Sequence, residues 1–214
     1  MKSKLYLIRH GQSTYNLENR FTGWKNVDLT DLGIRQAKEA ANLLKGHHFD
    51  LAFTSNLLRA QKTLRLILDE LKIDLNIIKN EALNERDYGD LVSQNKAEAA
   101  EKFGKEQVQI WRRSFDIPPP NGESLKMTLE RTLPYFNSII KPHLIEGKNI
   151  ILSAHGNSIR SIIMELSQYD SNKILKTEVG WCEPLVYTFN DNFEIQDFNL
   201  MIRPSEPSKS HFPK

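Results

Sequence analysis

The most informative segment lies near the N-terminus and reads Leu5-Tyr6-Leu7-Ile8-Arg9-His10-Gly11. Its first four residues are apolar without alternation, which is typical of a strand buried on both faces in a parallel or mostly parallel sheet. The charged and polar residues follow directly where this apolar run ends. The segment therefore predicts a first buried strand over residues 5–8 with functional side chains at its carboxyl end.

Helices and strands alternate along the chain from this strand onward. Thr30-Asp31 can cap a helix over residues 32–44, and Gly46 can end it. A second buried strand is predicted over residues 51–54, and Ser55 or Asn56 is expected to cap a helix that runs to about residue 71. The apolar residues that recur at helical spacing in these two helices are Ile34, Ala37, Ala41, Leu44, Leu57, Ala60, Leu64, Ile67 and Leu68.

The C-terminal half continues the pattern. Short strands are predicted over 76–78 and 148–154, a helix over 157–166, an outer strand over 185–189, and a last pairing segment over 195–200 after the Asp191-Asn192 turn. Parallel strands need crossover connections, which helices usually supply. We therefore predict an α/β fold: a single layered domain with a mostly parallel central sheet flanked by helices and with ligands at the carboxyl ends of the strands.

Two segments interrupt the alternation. The stretch 81–113 is polar and prone to form helices, and Pro118-Pro119-Pro120-Asn121-Gly122 breaks the chain after it. We interpret residues 81–122 as a lid-like insertion within one domain that spans residues 1–202. The last residues, 203–214, are rich in Pro, Ser and Lys and predict a flexible C-terminal tail.

Composition narrows the possible partners. The chain has 214 residues, and 29 Lys+Arg against 27 Asp+Glu give a net charge of +2, so no long-range field towards nucleic acid or membrane is indicated. The single cysteine, Cys182, cannot form an intramolecular disulfide and has no zinc-type spacing around it. No apolar run has the length of a signal-peptide core or a membrane span. We expect a cytoplasmic enzyme that binds neither nucleic acid nor membranes.

Two histidines stand at predicted strand ends, each with a glycine after it. His10 lies at the end of the first strand. In the same way, His155-Gly156-Asn157 lies at the end of the strand predicted over residues 148–154. The glycine lets the backbone approach a ligand and present N–H groups to an anion. One such histidine beside a tight turn is more commonly structural, but two at strand ends of one crevice favour an anion site.

A third strand end contributes a cation to this crevice. Arg59 lies in the first turn of the helix that follows the strand 51–54. A guanidinium can grip phosphate oxygens with two parallel hydrogen bonds, and Arg9 supplies a second one. An arginine on a helix is normally solvated, but the convergence of three segments favours a site for phosphoryl transfer through His10.

Several motifs resemble a known family. Leu7-Ile8-Arg9-His10-Gly11-Gln12-Ser13 together with His155-Gly156-Asn157 resembles the histidine phosphatase superfamily, in which the first histidine becomes phosphorylated. The segments 16–33 and Leu83-Asn84-Glu85-Arg86-Asp87-Tyr88-Gly89, with Trp111-Arg112-Arg113, look like the cofactor-dependent phosphoglycerate mutases. The likeness extends to about Phe189. It implies a phosphoglycerate mutase-like fold and an isomerase that interconverts 3-phosphoglycerate and 2-phosphoglycerate in glycolysis and gluconeogenesis.

The resemblance also implies roles for the catalytic residues. Neutral His10 would attack the phosphoryl group, His155 would stabilise its charge from the other side, and Arg9 and Arg59 would clamp its oxygens. Glu85 would shuttle the proton of the substrate, although an ordinary loop salt bridge is the alternative for this residue. The implied cofactor is 2,3-bisphosphoglycerate, which primes His10, and no metal is required.

The implied substrate-binding set is larger. Cations on the insertion favour a mutase, because a mutase must hold a substrate carboxylate and exclude water, whereas a phosphatase binds one phosphate and admits water. A solvated helix face is the alternative for Arg112-Arg113, and turn-forming polar residues are the alternative for the segment 13–23. The substrate-binding residues are expected to be Arg9, His10, Gly11, Gln12, Ser13, Thr14, Tyr15, Asn16, Thr22, Gly23, Arg59, Glu85, Arg86, Asp87, Tyr88, Lys96, Arg112, Arg113, Gly156 and Asn157.

Two other functions remain open at this stage: a hydrolytic histidine phosphatase for another phosphomonoester, and a phosphoanion-binding module without turnover. The partners implied are small phosphoglycerates and, for the chain itself, a homodimer or homotetramer. The chain departs from the family pattern at Gly180-Trp181-Cys182-Glu183-Pro184 and in the tail, and it lacks a stretch after Pro120 that longer mutases carry. A divergent tail that shields the phosphohistidine poorly would raise phosphatase side activity.

Overall fold

The structure is a computed structural model that describes residues 2–213; the predicted outer bounds at Met1 and Lys214 lie outside the described residues. One sheet forms the centre, with the strand order β3-β2-β4-β1-β5-β6. The first four strands in this order pair in parallel, and β5 alone runs antiparallel to both of its neighbours. The strands are β1 (Ser3–Arg9), β2 (Leu51–Thr54), β3 (Ile77–Lys79), β4 (Ile150–Ala154), β5 (Leu185–Phe189) and β6 (Ile195–Leu200).

The helices cover both faces of this sheet. Two of them, α2 and α3, pack on one face, whereas α6, α7 and α8 pack on the other. A π-helical segment, Phe136–Ile140, connects α6 to α7. The helices are α1 (Thr14–Leu17), α2 (Asp31–Leu43), α3 (Leu58–Leu71), α4 (Lys96–Phe103), α5 (Lys105–Arg113), α6 (Leu125–Tyr135), α7 (Lys141–Ile145), α8 (Gly156–Leu166) and α9 (Ser171–Lys176).

The position of β1 in the sheet explains why its apolar run has no alternation. Leu5 and Leu7 pack under α6 and α8, while Tyr6 and Ile8 pack under α2 and α3. Successive side chains of a strand point to opposite faces, so a strand covered by helices on both sides needs apolar residues at every position. This observation confirms the predicted α/β class.

The register of β1 on β4 places the site. Arg9 lies opposite Ala154 in this parallel pair, and the next residues along each strand are His10 and His155. The backbone N–H of His10 continues the pairing by donating to the carbonyl of Ala154 at 3.0 Å. Because parallel strands end at the same edge of the sheet, two histidines that are 145 residues apart leave the sheet side by side.

Two of our local predictions were wrong, and one helical region was missed. The segment 185–189 is not an outer strand: β5 lies between β1 and β6, and four of its five residues are buried. Neither Ser55 nor Asn56 caps α3, because the hydroxyl of Ser55 contacts His155 and the Asn26 side chain accepts from the N–H of Leu58 instead. The helical region from α6 to α7 was not predicted, since Pro134 and a π-helical turn disturb its 3.6-residue period.

The insertion 81–122 folds as two short helices, α4 and α5, with two 3-10 turns and an extended return. It has a small apolar cluster of its own, in which Leu91, Ala99 and Val108 pack around Phe21. Phe21 belongs to the loop after α1, so this cluster holds the insertion next to the loop that borders the strand ends. That the insertion opens and closes as a lid stays a prediction.

The tail packs against the body over its described residues, 203–213, instead of extending away from it. Arg203 is 2 % exposed and pairs with Glu39 at 3.2 Å and Glu206 at 3.0 Å. The buried carboxylate of Glu183 accepts hydrogen bonds from the Ser208 hydroxyl at 2.8 Å and from the N–H of Lys209 at 3.0 Å. Composition misses such anchors, because each depends on one buried charge rather than on the average character of the segment. Within residues 2–213, no helix has the length and apolar character that spanning a membrane requires.

Candidate active site

His10 lies at the end of β1 and is buried. Its Nδ1 lies 2.7 Å from the carbonyl oxygen of Gly11, which can only accept, so Nδ1 carries the proton and Nε2 keeps its lone pair. The Nε–H of Arg59 points at this Nε2 from 3.3 Å. Burial and the charges of Arg59 and Arg9 hold the pKa of His10 well below its usual value. His10 is therefore a neutral imidazole at pH 7 with a free nucleophilic nitrogen.

His155 is the N-cap of α8 and lies beside His10, with 5.0 Å between the ring centroids. Its Nε2 is 2.7 Å from the hydroxyl of Ser55, whose oxygen already accepts from the N–H of Leu57. We assign the Ser55 hydroxyl as the donor, which leaves the proton of His155 on Nδ1. This Nδ1 is buried and has no hydrogen-bond partner within residues 2–213. Burial and the charges of Arg59 and Arg9 lower the pKa of His155 well below its usual value.

Arg9 and Arg59 flank the two rings. Arg59 is 1 % exposed and is held by the carbonyls of Lys25, at 3.1 Å, and Gly23, at 2.9 Å. Arg9 donates to the carbonyl of Val179 at 2.8 Å, while its buried Nε has no partner within the described part of the chain. Burial lowers the pKa of Arg59 to about 10, and Arg59 stays charged at pH 7. Both guanidiniums have donors available for an anion.

Glu85 completes the inner group and is buried. One of its oxygens accepts from the N–H of Arg86 at 2.8 Å, and also from the N–H and side-chain amide of Asn157 at 3.1 and 2.9 Å. Burial raises the pKa of Glu85, but the hydrogen bond from Arg86 and the charge of Arg9 outweigh burial and lower it overall. The other oxygen accepts no hydrogen bond among residues 2–213. Glu85 is therefore an ionised carboxylate with one oxygen free for a proton.

Of these side chains, all but His155 line a cleft with two connected parts. The inner cleft, of about 400 Å³, contains His10 and Arg59, and the outer cleft, of about 570 Å³, extends between α5 and α8. Four residues border both parts: Arg9, Glu85, Tyr88 and Lys96. The inner cleft is also lined by Asn16, Arg20, Phe21, Thr22 and Gly23, and the outer cleft by Arg112, Arg113, Gly156, Asn157, Arg160, Glu178 and Val179.

Most of the predicted site residues line this cleft. Eight do not, namely Gly11, Gln12, Ser13, Thr14, Tyr15, Arg86, Asp87 and the fully buried His155. Ser13 caps α1 through Asn16, and Tyr15 donates to Ser93 at 3.1 Å. Arg86 is buried, with its guanidinium 4.6 Å from the centre of the Tyr88 ring. In this structure these residues support the residues that line the cleft.

Five lining residues were missed: Arg20, Phe21, Arg160, Glu178 and Val179. A signal existed for Arg160, because it follows Asn157 by three residues on α8 and therefore lies on the same helix face. Its guanidinium donates to the side-chain oxygen of Asn157 at 3.1 Å. Glu178 had no such signal, since it lies between α9 and β5 and is placed by its pairing with His211 of the tail.

Comparison with known proteins agrees with this geometry. The sequence profile described as histidine phosphatase superfamily (branch 1) matches residues 5–199. The chain belongs to the histidine phosphatase superfamily. Its relatives within the superfamily include a 2,3-bisphosphoglycerate-dependent phosphoglycerate mutase of Parvibaculum lavamentivorans, 52% identical over 89% of this chain and 92% of that protein. A phosphoglycerate mutase of Schizosaccharomyces pombe is 53% identical over 86% of this chain and 88% of that protein.

A solved structure of a phosphatase has the same fold as this chain. The α-ribazole phosphatase of Shigella flexneri superposes with a TM-score of 0.79 at 24% identity and covers 94% of this chain and 96% of that one. At this identity the likeness concerns the fold alone. Within residues 2–213, no group of three or more His, Cys, Asp or Glu side chains is arranged to hold a metal ion.

Proposed function

We propose that this protein interconverts 3-phosphoglycerate and 2-phosphoglycerate through a phosphohistidine at His10. One observation carries the proposal: the cleft over this nucleophile continues into an outer part with four cations, Lys96, Arg112, Arg113 and Arg160. Phosphate hydrolysis requires the inner cleft only. A substrate that has a carboxylate beside its phosphate fills both parts, and the mutase relatives support this substrate class.

Attack starts at Nε2 of His10. The hydrogen bond from Nδ1 to Gly11 fixes the ring, and the low pKa of His10 keeps Nε2 unprotonated at neutral pH. Arg59 now donates to this nitrogen, so an incoming phosphoryl group has to take over the Arg59 donor before Nε2 can form a bond. Phosphate oxygens are better acceptors for a guanidinium than an imidazole is, and this exchange therefore favours the reactive geometry.

The phosphoryl oxygens fit donors that are otherwise unused. Nδ1 of His155 and Nε of Arg9 are both buried without partners within residues 2–213. A buried N–H that lacks an acceptor costs about 1–3 kcal/mol, and an oxygen placed there removes this cost. The charge of the transferring group is spread over its three equatorial oxygens in the transition state, and donors fixed beside these oxygens stabilise it there.

Glu85 moves the proton of the substrate. Its lowered pKa makes it a base at pH 7, and its free oxygen accepts the hydroxyl proton when that hydroxyl takes the phosphoryl group from His10. The hydrogen bonds from Arg86 and Asn157 hold the other oxygen in place throughout. A bound phosphate dianion raises the pKa of this carboxyl group, and Glu85 then returns the proton to the oxygen that leaves in the opposite step.

The cofactor we propose is 2,3-bisphosphoglycerate, which supplies the phosphoryl group that first charges His10. The unpaired donors of Arg9 and His155 would hold one phosphate in the inner cleft. The cations Lys96 and Arg112 would hold the remaining anionic groups in the outer cleft. A cytoplasmic location, a role in glycolysis and gluconeogenesis, and a homodimer or homotetramer stay predictions that accompany this function.

The test is an assay that separates isomerisation from hydrolysis. The protein is incubated with 3-phosphoglycerate and a trace of 2,3-bisphosphoglycerate, and 2-phosphoglycerate and free phosphate are followed separately. We expect 2-phosphoglycerate to form much faster than free phosphate. Free phosphate without the isomer would make the protein a hydrolytic phosphatase, and the absence of both products would make it a phosphoanion-binding module.

A further inference from the structure

A second carboxylate, besides Glu85, stands among the cations of the outer cleft. Glu178 lies in the turn between α9 and β5 and borders the same space as Lys96, Arg112, Arg113 and Arg160. An anion-binding cleft gains nothing from a negative charge unless that charge selects between ligands. The surroundings of Glu178 are therefore informative.

The Glu178 carboxylate bridges two guanidiniums from different parts of the fold. One oxygen accepts from Arg113 on α5, and the other accepts from Arg160 on α8 at 2.9 Å. Burial raises the pKa of Glu178, but Arg160 and Arg113 outweigh burial and lower it overall, so the bridge is ionic at pH 7. Glu178 already occupies the N–H groups that a ligand anion would use.

The backbone of Glu178 is fixed as well. Its N–H donates to the carbonyl of His211, and the N–H of His211 donates back, both at 2.9 Å. This pairing ties Glu178 to the tail, while Arg113 ties it to the insertion. The carboxylate therefore keeps its place without a ligand.

The effect of the Glu178 bridge on binding depends on the charge of the ligand. The charges of Arg9 and Glu85, which also border the outer cleft, cancel, so the four other cations and Glu178 give it a net charge of three positive units. Within residues 2–213 Lys96 and Arg112 have no ion pair. With one phosphate in the inner cleft, a monophosphoglycerate places a charge of about −1 in the outer cleft, whereas a bisphosphoglycerate places about −3 there. A fixed negative charge opposes the second ligand more strongly.

We propose that Glu178 is a specificity-determining residue that lowers the affinity of the outer cleft for a bisphosphorylated glycerate relative to a monophosphorylated one. This inference rests on the proposed function and deepens it. The residue lets a bisphosphate prime His10 without competing strongly for the cleft with the substrate. Its removal leaves all the cations in place and changes only the balance of charge.

The test measures two affinities in a protein that cannot transfer phosphate. His10→Ala and His10→Ala/Glu178→Gln are titrated calorimetrically with 2,3-bisphosphoglycerate and with 3-phosphoglycerate. We expect the Glu178→Gln change to tighten bisphosphate binding by about tenfold and monophosphate binding by no more than about threefold, since one unit of opposing charge is removed. The gain should shrink at high salt.

Two further variants separate charge from structure. Glu178→Asp keeps the charge and should leave the ratio of the two affinities near that of His10→Ala. Glu130→Gln removes the charge of an exposed glutamate on α6 and should change neither affinity. Thermal unfolding of each variant confirms that it is folded.

The outcomes are distinct. An unchanged ratio in folded Glu178→Gln, or an equal shift in Glu178→Asp, overturns the inference while the proposed function stands. Weaker binding of both ligands by Glu178→Gln also overturns it and assigns Glu178 to structural support. If folded His10→Ala binds neither glycerate, the proposed function and this inference fail together.

Discussion

His10 and His155 have nearly the same surroundings but opposite hydrogen bonds. In His10 the Nδ1 nitrogen is engaged by a backbone carbonyl, and in His155 the Nε2 nitrogen is engaged by a hydroxyl. Among the described residues, the other nitrogen of each ring is therefore left free of a backbone or hydroxyl partner, as a lone pair in His10 and as an unpaired donor in His155. A lone pair can attack a phosphoryl group, and a donor can stabilise its charge. The hydrogen bonds of the two rings to Gly11 and Ser55 therefore distinguish the nucleophile from the stabilising residue, which the sequence motif alone does not.

Two substitutions separate the nucleophile from the proton shuttle. His10→Ala should abolish covalent labelling by 2,3-bisphosphoglycerate, because no other described side chain presents a nucleophile at this position. Glu85→Gln should still be labelled but should turn over at least about a hundredfold more slowly, because it lacks the base. Labelling is measured by acid-sensitive phosphate incorporation and turnover by formation of 2-phosphoglycerate. Robust labelling of His10→Ala would refute the assignment of the nucleophile.

Sequence reasoning reached most residues of both parts of the cleft, but it missed Arg160 and Glu178 in the outer part. Residues at strand ends, such as His10 and His155, are predictable because an apolar run shows where a strand stops. Predicting Arg160 would have required extending the argument from the end of β4 to the face of α8 that carries Asn157. Glu178 was out of reach, since its position depends on pairing with the tail, which is a contact between segments that no local pattern encodes.

At the scale of elements, α2 is pressed against the loop that follows β1. A Cβ on Gly33 would collide with the carbonyl oxygen of Gln12, and a Cβ on Gly11 would collide with the carbonyl oxygen of Gly33. Thr30 caps this helix and also donates to the side chain of Gln12 at 2.9 Å. The close approach of two backbones fixes the loop that carries His10.

This contact predicts a large cost for a single methyl group. Gly33→Ala should lower the free energy of unfolding by about 2 kcal/mol or more, because the backbone of Gln12 cannot move away without moving His10. Gly46→Ala is the matched control: Gly46 has a φ of +80° with nothing within 4 Å, so only backbone strain of about 1 kcal/mol is expected. Urea denaturation measures both. A smaller loss for Gly33→Ala than for Gly46→Ala would contradict the crowding argument.

The elements differ in how well the sequence predicted them. Strands β1, β2 and β4 and helix α2 were predicted to within two residues at each end. The strands are apolar on both faces, and the helix has one clear apolar stripe. The predicted place of β5 in the sheet was wrong because β6 pairs with its outer edge, and sequence alternation cannot reveal strand order. The region from α6 to α7 was missed because Pro134 suggests a break, whereas the helix continues there through a π turn.

At the scale of the whole molecule, two buried neutral histidines make stability depend on pH. Both have folded pKa values well below 6.5, so below about pH 6.5 the unfolded chain binds more protons than the folded one. Stability is therefore fully present above pH 6.5 and falls as the pH is lowered through this value. Each histidine contributes a loss of about 1 kcal/mol per pH unit.

The measurement is urea unfolding at about pH 7.5 and about pH 5.5, a range that lies above the ordinary titration of carboxylates. We expect the wild-type protein to lose about 2 kcal/mol between these values. The double variant His10→Gln/His155→Gln should lose much less, because neither side chain then titrates. An equal loss in both proteins would show that the dependence arises elsewhere.

The packed tail predicts the effect of truncation. Deleting residues 208–214 removes the donors from the buried carboxylate of Glu183 and should destabilise the fold by about 3 kcal/mol. It should also shorten the half-life of the phosphohistidine, because the pairing of His211 with Glu178 beside the outer cleft is lost. Unfolding in urea and the decay of labelled protein measure the two effects. A phosphohistidine half-life unchanged by deletion from Arg203 onward would refute shielding by the tail.

Strand β1 lies between β4 and β5, which come from the last third of the chain. During synthesis the first strand therefore emerges from the ribosome long before either of its partners exists. An apolar segment without partners attracts other chains and chaperones, and pairing over such long sequence separations slows folding. The same arrangement keeps the nascent chain inactive, because His10 comes to lie beside His155 only when β1 pairs with β4. An incomplete chain therefore lacks a complete site for the phosphoryl group.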